Sequence, residues 1–319
     1  MKFSITIPAY KARFLDEAIK SVVSQTYDDW ELIIVDDCSP EKLEPIVRPY
    51  LLDTRIRYFR NSRNCGAVDV VDNWNICLSY CTGDYVICIG DDDCLLPACL
   101  EEYRKIIEKY PTLNVYHSRT EIINERGDII HLQEPRPEWE SSLSLLWNRW
   151  AYRNLQFIGD FCYRVPYLKG VGGYHKLPLA WGSDDITAVM AAKENGIANT
   201  QAFCFQYRQN NLTITSSTNH AKIKIQAMMA VREWSLHFQR DVSTIALSQE
   251  DDNYLKTLET IRDKYMVLAF GRYCSDYFHG SPFRLIECYQ MLRPLHIPNV
   301  LFLKWYISSL FSFFHQSIK

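Results

Sequence analysis

The sequence predicts an α/β protein: a mostly parallel sheet flanked by helices, followed by a helical C-terminal extension. Three observations carry that expectation. Short apolar runs alternate with helix-period segments through about the first 110 residues, and parallel strands need such crossover helices between them. The runs "WELIIVDD" and "DYVICIG" are apolar almost without a break, as strands buried on both faces are. From about residue 220 onward the pattern is helical and rich in bulky side chains.

The elements follow in order. "FSITIPAY" reads as a strand ending at Pro8, and "LDEAIKSVVSQ" as a helix whose buried face is Leu15, Ala18, Ile19, Val22 and Val23. "WELIIVDD" is a buried strand that stops at Asp36 and Asp37, and "IRYFRN" is a further strand. "VDNWNICLSYC" carries a helical period that Thr82-Gly83 closes. "DYVICIG" then delivers the chain to Asp91, Asp92 and Asp93. Between 110 and 215 come strand-like pieces ("LNVYHSRTEII", "GDIIHL"), a Trp/Tyr-rich stretch, a Gly-rich turn and the helix "ITAVMAAKENG". The expected division is 1–218, with halves at about 1–110 and 111–218, and a helical region at 219–319.

Composition bounds the function. With 319 residues, 47% hydrophobic content and a net charge of -3, the chain is long enough for a large core and carries no bulk positive field to recruit nucleic acid. Eleven cysteines, an odd number without a CxxC pair, read as reduced and mostly buried thiols of a cytoplasmic protein rather than a zinc or disulfide framework. "MKFSITIPAY" begins as a strand without a leader pattern, so secretion is not expected. Neither GxGxxG nor GxxxxGK[ST] occurs, which disfavours dinucleotide and P-loop chemistry. "NVLFLKWYISSLFSFFHQSIK" is apolar but short of the ~20 residues of a spanning helix. It reads either as a core or subunit-packing helix, which allows a homo-oligomer, or as an interfacial membrane helix with Lys304 beside Trp305 and Tyr306.

Ligands of parallel sheets bind at the carboxyl ends of strands. Three such ends carry polar punctuation here: Pro8-Ala9-Tyr10, Asp36-Asp37 and Asp91-Asp92-Asp93. An aspartate run on its own is a solvated turn. Placed at a buried strand end, with more carboxylates at a second, it suits a hard divalent cation shared with a phosphate.

The motifs "ITIPAYKARFLDEAIKSVVSQTYDDWELIIVDDCS", "NCG", "NWN", "TGDYV" and "GDDDCLLP", followed by "GVGGY", "WGSDDITAVMAAKENG" and "YRQNNLTITSS", resemble those of family 2 glycosyltransferases. The resemblance implies a GT-A fold, a Rossmann-like mostly parallel sheet, and inverting transfer from a nucleotide-diphospho-sugar, with a UDP-sugar favoured. It implies that Pro8, Ala9 and Tyr10 line the nucleobase pocket and that Asp37 accepts an imide hydrogen of the base. Asp36 is its neighbour at the same strand end. The family's Asp-x-Asp places its first aspartate on Gly90, so this chain departs from it. Counting back from Pro97, Asp92 is the expected ligand of Mn2+ or Mg2+, Asp91 faces ribose or metal, and Asp93 is an adjacent ligand or supporting carboxylate.

Asp185, eleven residues before Gly196, matches the family's catalytic base, with Asp184 and Trp181 beside it. The same acidic residues suit a helix N-terminus, and the two roles are compatible. Arg208 is expected either on the donor diphosphate or in a structural ion pair. Asp72-Asn73 stands where many relatives have Arg-Asn, and "QYRQN" replaces the QxxRW of processive synthases, which implies one sugar per encounter. The expected acceptor is a glycan or lipid-linked glycan of a bacterial surface polysaccharide, reached at the inner face of the membrane. The rival readings are a non-catalytic sugar- or lipid-binding protein of the same fold and a sugar nucleotidyltransferase.

Overall fold

The computed structural model describes residues 1–210, 220–244, 246–278 and 281–316. The chain forms two compact units, Met1–Asn211 and Leu212–Lys319. The first begins with β1 (Phe3–Ala9), α1 (Leu15–Val23), β2 (Trp30–Asp36), α2 (Glu44–Val47), β3 (Ile56–Arg60), α3 (Val70–Tyr80) and β4 (Tyr85–Cys88), as the sequence predicts but for the short α2. It continues through β5 (Cys94–Leu95), α4 (Cys99–Lys109), β6 (Val115–Ile123), β7 (Ile129–Leu132), β8 (Trp139–Glu140) and α5 (Ser142–Trp150). It closes with β9 (Phe161–Arg164), α6 (Val165–Gly170), α7 (Ser183–Ala191) and β10 (Ile197–Arg208).

All ten strands lie in one sheet, in the order β3-β2-β1-β4-β9-β6-β10-β5, with β7 on β6 and β8 on β10. The four strands β3, β2, β1 and β4 are parallel, as expected. Beyond β4 the sheet is mixed: β9 runs antiparallel to both β4 and β6, while β10 is parallel to β6. An antiparallel strand needs no crossover helix, so β9 can enter between two strands that the preceding chain has already laid down.

Packing explains the first helix. Leu15, Ala18, Ile19 and Val22 are buried against the sheet, each worth about 1.5–3 kcal/mol for the larger side chains. Val23, expected on the same face, is 40% exposed because the last turn rotates it outward. All eleven cysteines are free thiols, nine of them buried.

The second unit is helical: α8 (Ala221–Val242), α9 (Gln249–Phe278), α10 (Pro282–Leu292) and α11 (Asn299–Gln316). Among the described residues no helix is long and apolar enough to cross a membrane. Phe302 of α11 meets Tyr289 of α10 and Trp305 edge-on.

At the amino-terminal end of the parallel strands, Glu31 is buried and accepts from the Ser4 hydroxyl (2.6 Å), the Thr82 amide (2.6 Å), Lys2 Nζ (3.1 Å) and Arg57 Nη2 (3.0 Å). Burial alone would raise its pKa, but the Ser4 and Thr82 hydrogen bonds and Lys2 outweigh it and hold it at about 2. A carboxylate whose pKa is lowered by folding stabilises the protein above its unfolded pKa, and that contribution is lost as pH falls through the folded value. Glu31→Gln is therefore expected to cost about 3 kcal/mol at pH 7. Its difference from wild type should shrink between about pH 4.5 and 2 in chemical denaturation curves.

Candidate active site

Strands β1, β2 and β4 end at one rim. Ala9 pairs with Asp36 across β1 and β2, the Asp37 amide donates to the Ala9 carbonyl (2.8 Å), and the Ile89 amide donates to the Thr6 carbonyl (2.9 Å). Pro8 is the penultimate residue of β1, and Tyr10 follows Ala9 with its side chain 42% exposed. The Tyr10 carbonyl accepts from the Ser39 hydroxyl.

The two β2-end aspartates face different tasks. Asp36 is fully buried and accepts from Tyr58 Oη (2.7 Å), the Ser39 amide (2.7 Å) and the Arg60 guanidinium. Its role is to join β2 to β3. Asp37 accepts from Asn61 Nδ2 (2.9 Å) and from the Cys65 amide (3.0 and 3.1 Å). Both asparagines of the "NWN" motif of α3 tie neighbouring segments together. Asn61 Nδ2 also donates to Asn73 Oδ1 (3.0 Å), and Asn75 Oδ1 accepts the Tyr174 amide (2.8 Å). Asp72 pairs with Lys176 at 2.7 Å.

The triplet does not converge on a point. Asp91 turns back to β1, where one carboxylate oxygen accepts the Tyr10 amide (2.7 Å) and the Lys11 amide (2.6 Å). Burial pushes the Asp91 pKa upward, opposed by Lys11 and the two amides. Asp92 Oδ2 accepts from Lys11 Nζ (2.9 Å) and Asn210 Nδ2 (2.8 Å). Asp93 turns inward, accepting the Arg208 amide (2.9 Å) and the Gly90 amide (3.3 Å), and burial raises its pKa well above the usual carboxylate range.

Gly90 now has a physical reason. A Cβ there would stand 2.7 Å from Asp93 Oδ2 and 2.9 Å from Asp92 Oδ1. A side chain at this position would force the Asp92 or Asp93 carboxylate to shift.

A divalent cation is tested by these placements. Asp93 spends both oxygens on backbone amides and Asp91 spends Oδ2 on two, while Lys11 Nζ lies between Asp91 Oδ1 (3.6 Å) and Asp92 Oδ2 (2.9 Å). Among the described residues no group of three or more His, Cys, Asp or Glu side chains is arranged to hold a metal ion. The donor set as folded does not fit the Asp92–Asp93 cation site expected from the sequence.

Arg208 is engaged structurally rather than turned to a ligand. It is 2% exposed, and its guanidinium donates to the Asp92 carbonyl (2.9 Å) and Glu17 Oε2 (2.6 Å) and lies 4.2 Å over the Phe14 ring. Of the two readings open in the sequence, the ion pair is the observed one. The "NLTITSS" part of the same motif lies outside the described residues.

A second acidic cluster opens α7. Leu179, Ala180 and Gly182 all have positive φ (61°, 53° and 94°). For the two non-glycines that backbone costs of order 1–2 kcal/mol each, and such strain collects at working sites. Trp181, half-buried, lies within this kink. Asp185 accepts from Arg149 Nε of α5 at 2.9 and 3.0 Å, and its amide donates to Asp184 Oδ1 at 3.0 Å. Asp184 is half-buried, and burial, then the Asp185 charge, pushes its pKa up to about 8. Arg149 and Lys11 were not singled out by sequence reasoning. Lys11 sits directly after "PAY" and was legible there, whereas nothing in the sequence ties residue 149 to 185.

This arrangement has known relatives. The profile described as glycosyl transferase family 2 matches residues 4–166. The chain belongs to glycosyl transferase family 2. An uncharacterized family member of Haemophilus influenzae is 32% identical over 125 residues, 38% of this chain and 40% of its own length. The putative colanic acid biosynthesis glycosyl transferase WcaA of Escherichia coli is 45% identical over 93 residues, 28% of this chain and 32% of its own length. The chain thus spans less than half the length of these relatives. Among solved structures, the S. aureus TarS fragment 1–349 in complex with UDP-GlcNAc aligns with TM-score 0.66 at 17% identity, covering 99% of this chain and 92% of that one. At that identity the likeness is one of fold, and the curled, parallel-dominated GT-A sheet is shared.

Two outcomes are expected for this site. Gly90→Ala should lower stability by about 1–3 kcal/mol through overpacking against Asp93, read as a reduced unfolding midpoint. The raised Asp184 pKa stabilises the fold below its unfolded pKa near 3.8, and that contribution is lost as pH rises through about 8. Wild-type thermal stability should therefore fall between these pH values relative to Asp184→Asn, whose profile should be flatter.

Proposed function

We propose that this family 2 glycosyltransferase transfers one sugar, with inversion, from a nucleotide-diphospho-sugar to an acceptor hydroxyl. One observation carries the reading: the exposed Tyr10 ring, Asp37 and Asp91–Asp92 stand at the ends of three adjacent parallel strands. That is where ligands of such sheets bind. Tyr10 offers a stacking face to the base. Asp37, held by Asn61 and the Cys65 amide, accepts an imide hydrogen, which favours a uracil or thymine donor. A UDP-sugar is the first choice, in keeping with the UDP-GlcNAc bound by TarS.

Asp185 is the proposed base. The acceptor oxygen bonds to the anomeric carbon as the bond to the diphosphate oxygen breaks. The electron pair leaves with the diphosphate, and the acceptor proton passes to Asp185. Arg149 holds that carboxylate in place, and Asp184 and Trp181 flank it. Mn2+ or Mg2+ is carried by the family likeness and not by the carboxylate arrangement, so no step is assigned to it.

The acceptor is proposed as a glycan or lipid-linked glycan of a surface polysaccharide, on the likeness to the colanic acid enzyme. Peripheral membrane contact through the C-terminal helices would bring the enzyme to such an acceptor. Supporting it are the exposed Phe283 and Ile286 of α10 and Val300, Leu303 and Ile307 of α11.

The test is transfer and hydrolysis with a panel of UDP-, GDP- and dTDP-sugars. Asp185→Asn is expected to lower turnover by about 10²–10⁴-fold while donor affinity stays at the wild-type value. Full turnover in that variant would remove Asp185 as the base. Asp37→Ala should weaken UDP binding and flatten the discrimination between uracil and cytosine nucleotides.

A further inference from the structure

The strand-end rim carries its own cation. Lys11 is anchored twice to the same aspartate: its amide donates to Asp91 Oδ2 at 2.6 Å, and its ammonium stands 3.6 Å from Asp91 Oδ1. The ammonium also donates to Asp92 Oδ2 at 2.9 Å, and Asn210 takes the same oxygen at 2.8 Å. The lysine side chain is 30% exposed, so one side of this seat faces solvent. It lies one residue from Tyr10, the exposed ring proposed as the base platform. Asp93, which would be needed for a multi-carboxylate cation site, is turned into the core on the Arg208 and Gly90 amides.

These placements have a chemical consequence. A lysine ammonium is a compact positive charge with three donors. Asp91 and Asp92 draw on its inner side, and the outward side can donate to a phosphate oxygen, a contact lysines commonly make as point charges. Among the described residues the other cation bound to the triplet turn is Arg208, whose guanidinium is already committed to the Asp92 carbonyl, Glu17 and the Phe14 ring. A diphosphate arriving beside Tyr10 would meet Lys11 first.

We propose that Lys11 supplies the resident positive charge for the donor diphosphate, in the place the sequence assigns to Mn2+ or Mg2+, so that nucleotide binding does not require a divalent metal. Lys11 keeps its proton throughout: it gains a phosphate contact and loses none of its bonds to carbon or hydrogen. This inference rests on the transferase reading above and adds to it the residue that recognises the diphosphate.

The experiment is calorimetric titration of the full chain with UDP and with UDP-sugars, once in EDTA and once in Mn2+. Three proteins are compared: wild type, Lys11→Met, which keeps the stem and removes the charge, and Lys11→Arg, which keeps the charge. Wild type should bind UDP in EDTA within about threefold of its affinity in Mn2+. Lys11→Met should bind at least about tenfold more weakly in EDTA, a loss of ~1.4 kcal/mol, and Lys11→Arg should recover most of the affinity. A thermal melt of each variant accompanies the titrations. The wild-type comparison stands even if Lys11→Met does not fold. Wild-type binding that appears only with Mn2+ overturns the Lys11 assignment and leaves the transferase reading intact. So does a folded Lys11→Met that binds like wild type in EDTA. Absence of nucleotide binding under both conditions overturns the transferase reading and the inference with it.

Discussion

Everything at the strand-end rim depends on one carboxylate, Asp91, taking two consecutive backbone amides. Tyr10 and Lys11 follow directly after β1, where their N–H groups have no further strand partner. Asp91, reaching over from the turn after β4, accepts both at 2.7 and 2.6 Å. Charge-assisted bonds of this kind are about twice as strong as neutral ones, and here they close the space between two neighbouring parallel strands. Tyr10 is thereby fixed with its ring outward, and its carbonyl is taken by Ser39 from the end of β2. Three strand ends become one surface through two side chains. Without Asp91, two part-buried amides would lose their partner in the fold.

The same interaction resolves the apparent conflict of three adjacent aspartates. Successive residues in a turn point in different directions, and each of these carboxylates finds positive or donor character of its own. Asp91 meets two amides and Lys11, Asp92 meets Lys11 and Asn210, and Asp93 meets the amides of Arg208 and Gly90. Arg208 is central to this distribution because its backbone and guanidinium both serve the turn, binding Asp93 with one and the Asp92 carbonyl with the other. The repulsion is divided among groups that belong to the chain, the Asp92 charge and burial still raising the Asp93 pKa, and the absence of a side chain at Gly90 makes room for that division.

How much of this was legible in the sequence follows from the range of each interaction. Periodicity and unbroken apolar runs located β1, α1, β2, β3, α3 and β4, because burial on a sheet writes a local pattern. The convergence of Tyr10, Asp37 and the triplet was also legible, since parallel strands must end on the same side. Side-chain direction was not. Nothing in "GDDDC" says that the third aspartate turns inward, because that depends on an amide 115 positions away in Arg208. The pairing of Arg149 with Asp185 spans 36 positions and two helices with no shared motif. Lys11 was visible but unremarked, since a lysine in a loop reads as solvated until its partners are known. The mixed half of the sheet escaped for a related reason: β9 is four residues long, too short for its direction to be read from pattern.

The acidic pair at α7 shows how one environment can separate two identical side chains. Asp184 and Asp185 are neighbours at the same helix start, and Asp185 receives Arg149 Nε through both carboxylate oxygens. Asp184 has burial and its neighbour's charge against ionisation, and its pKa rises to about 8. Asp185 accepts hydrogen bonds from Arg149, and Asp184 is the one that retains a proton near neutral pH. The Arg149 guanidinium occupies one side of the Asp185 carboxylate, so any other hydrogen-bond donor has to approach it from elsewhere. The strained Leu179–Gly182 kink ahead of the helix has the same consequence. It sets where α7 begins, and so which of two adjacent aspartates faces α5 and its arginine.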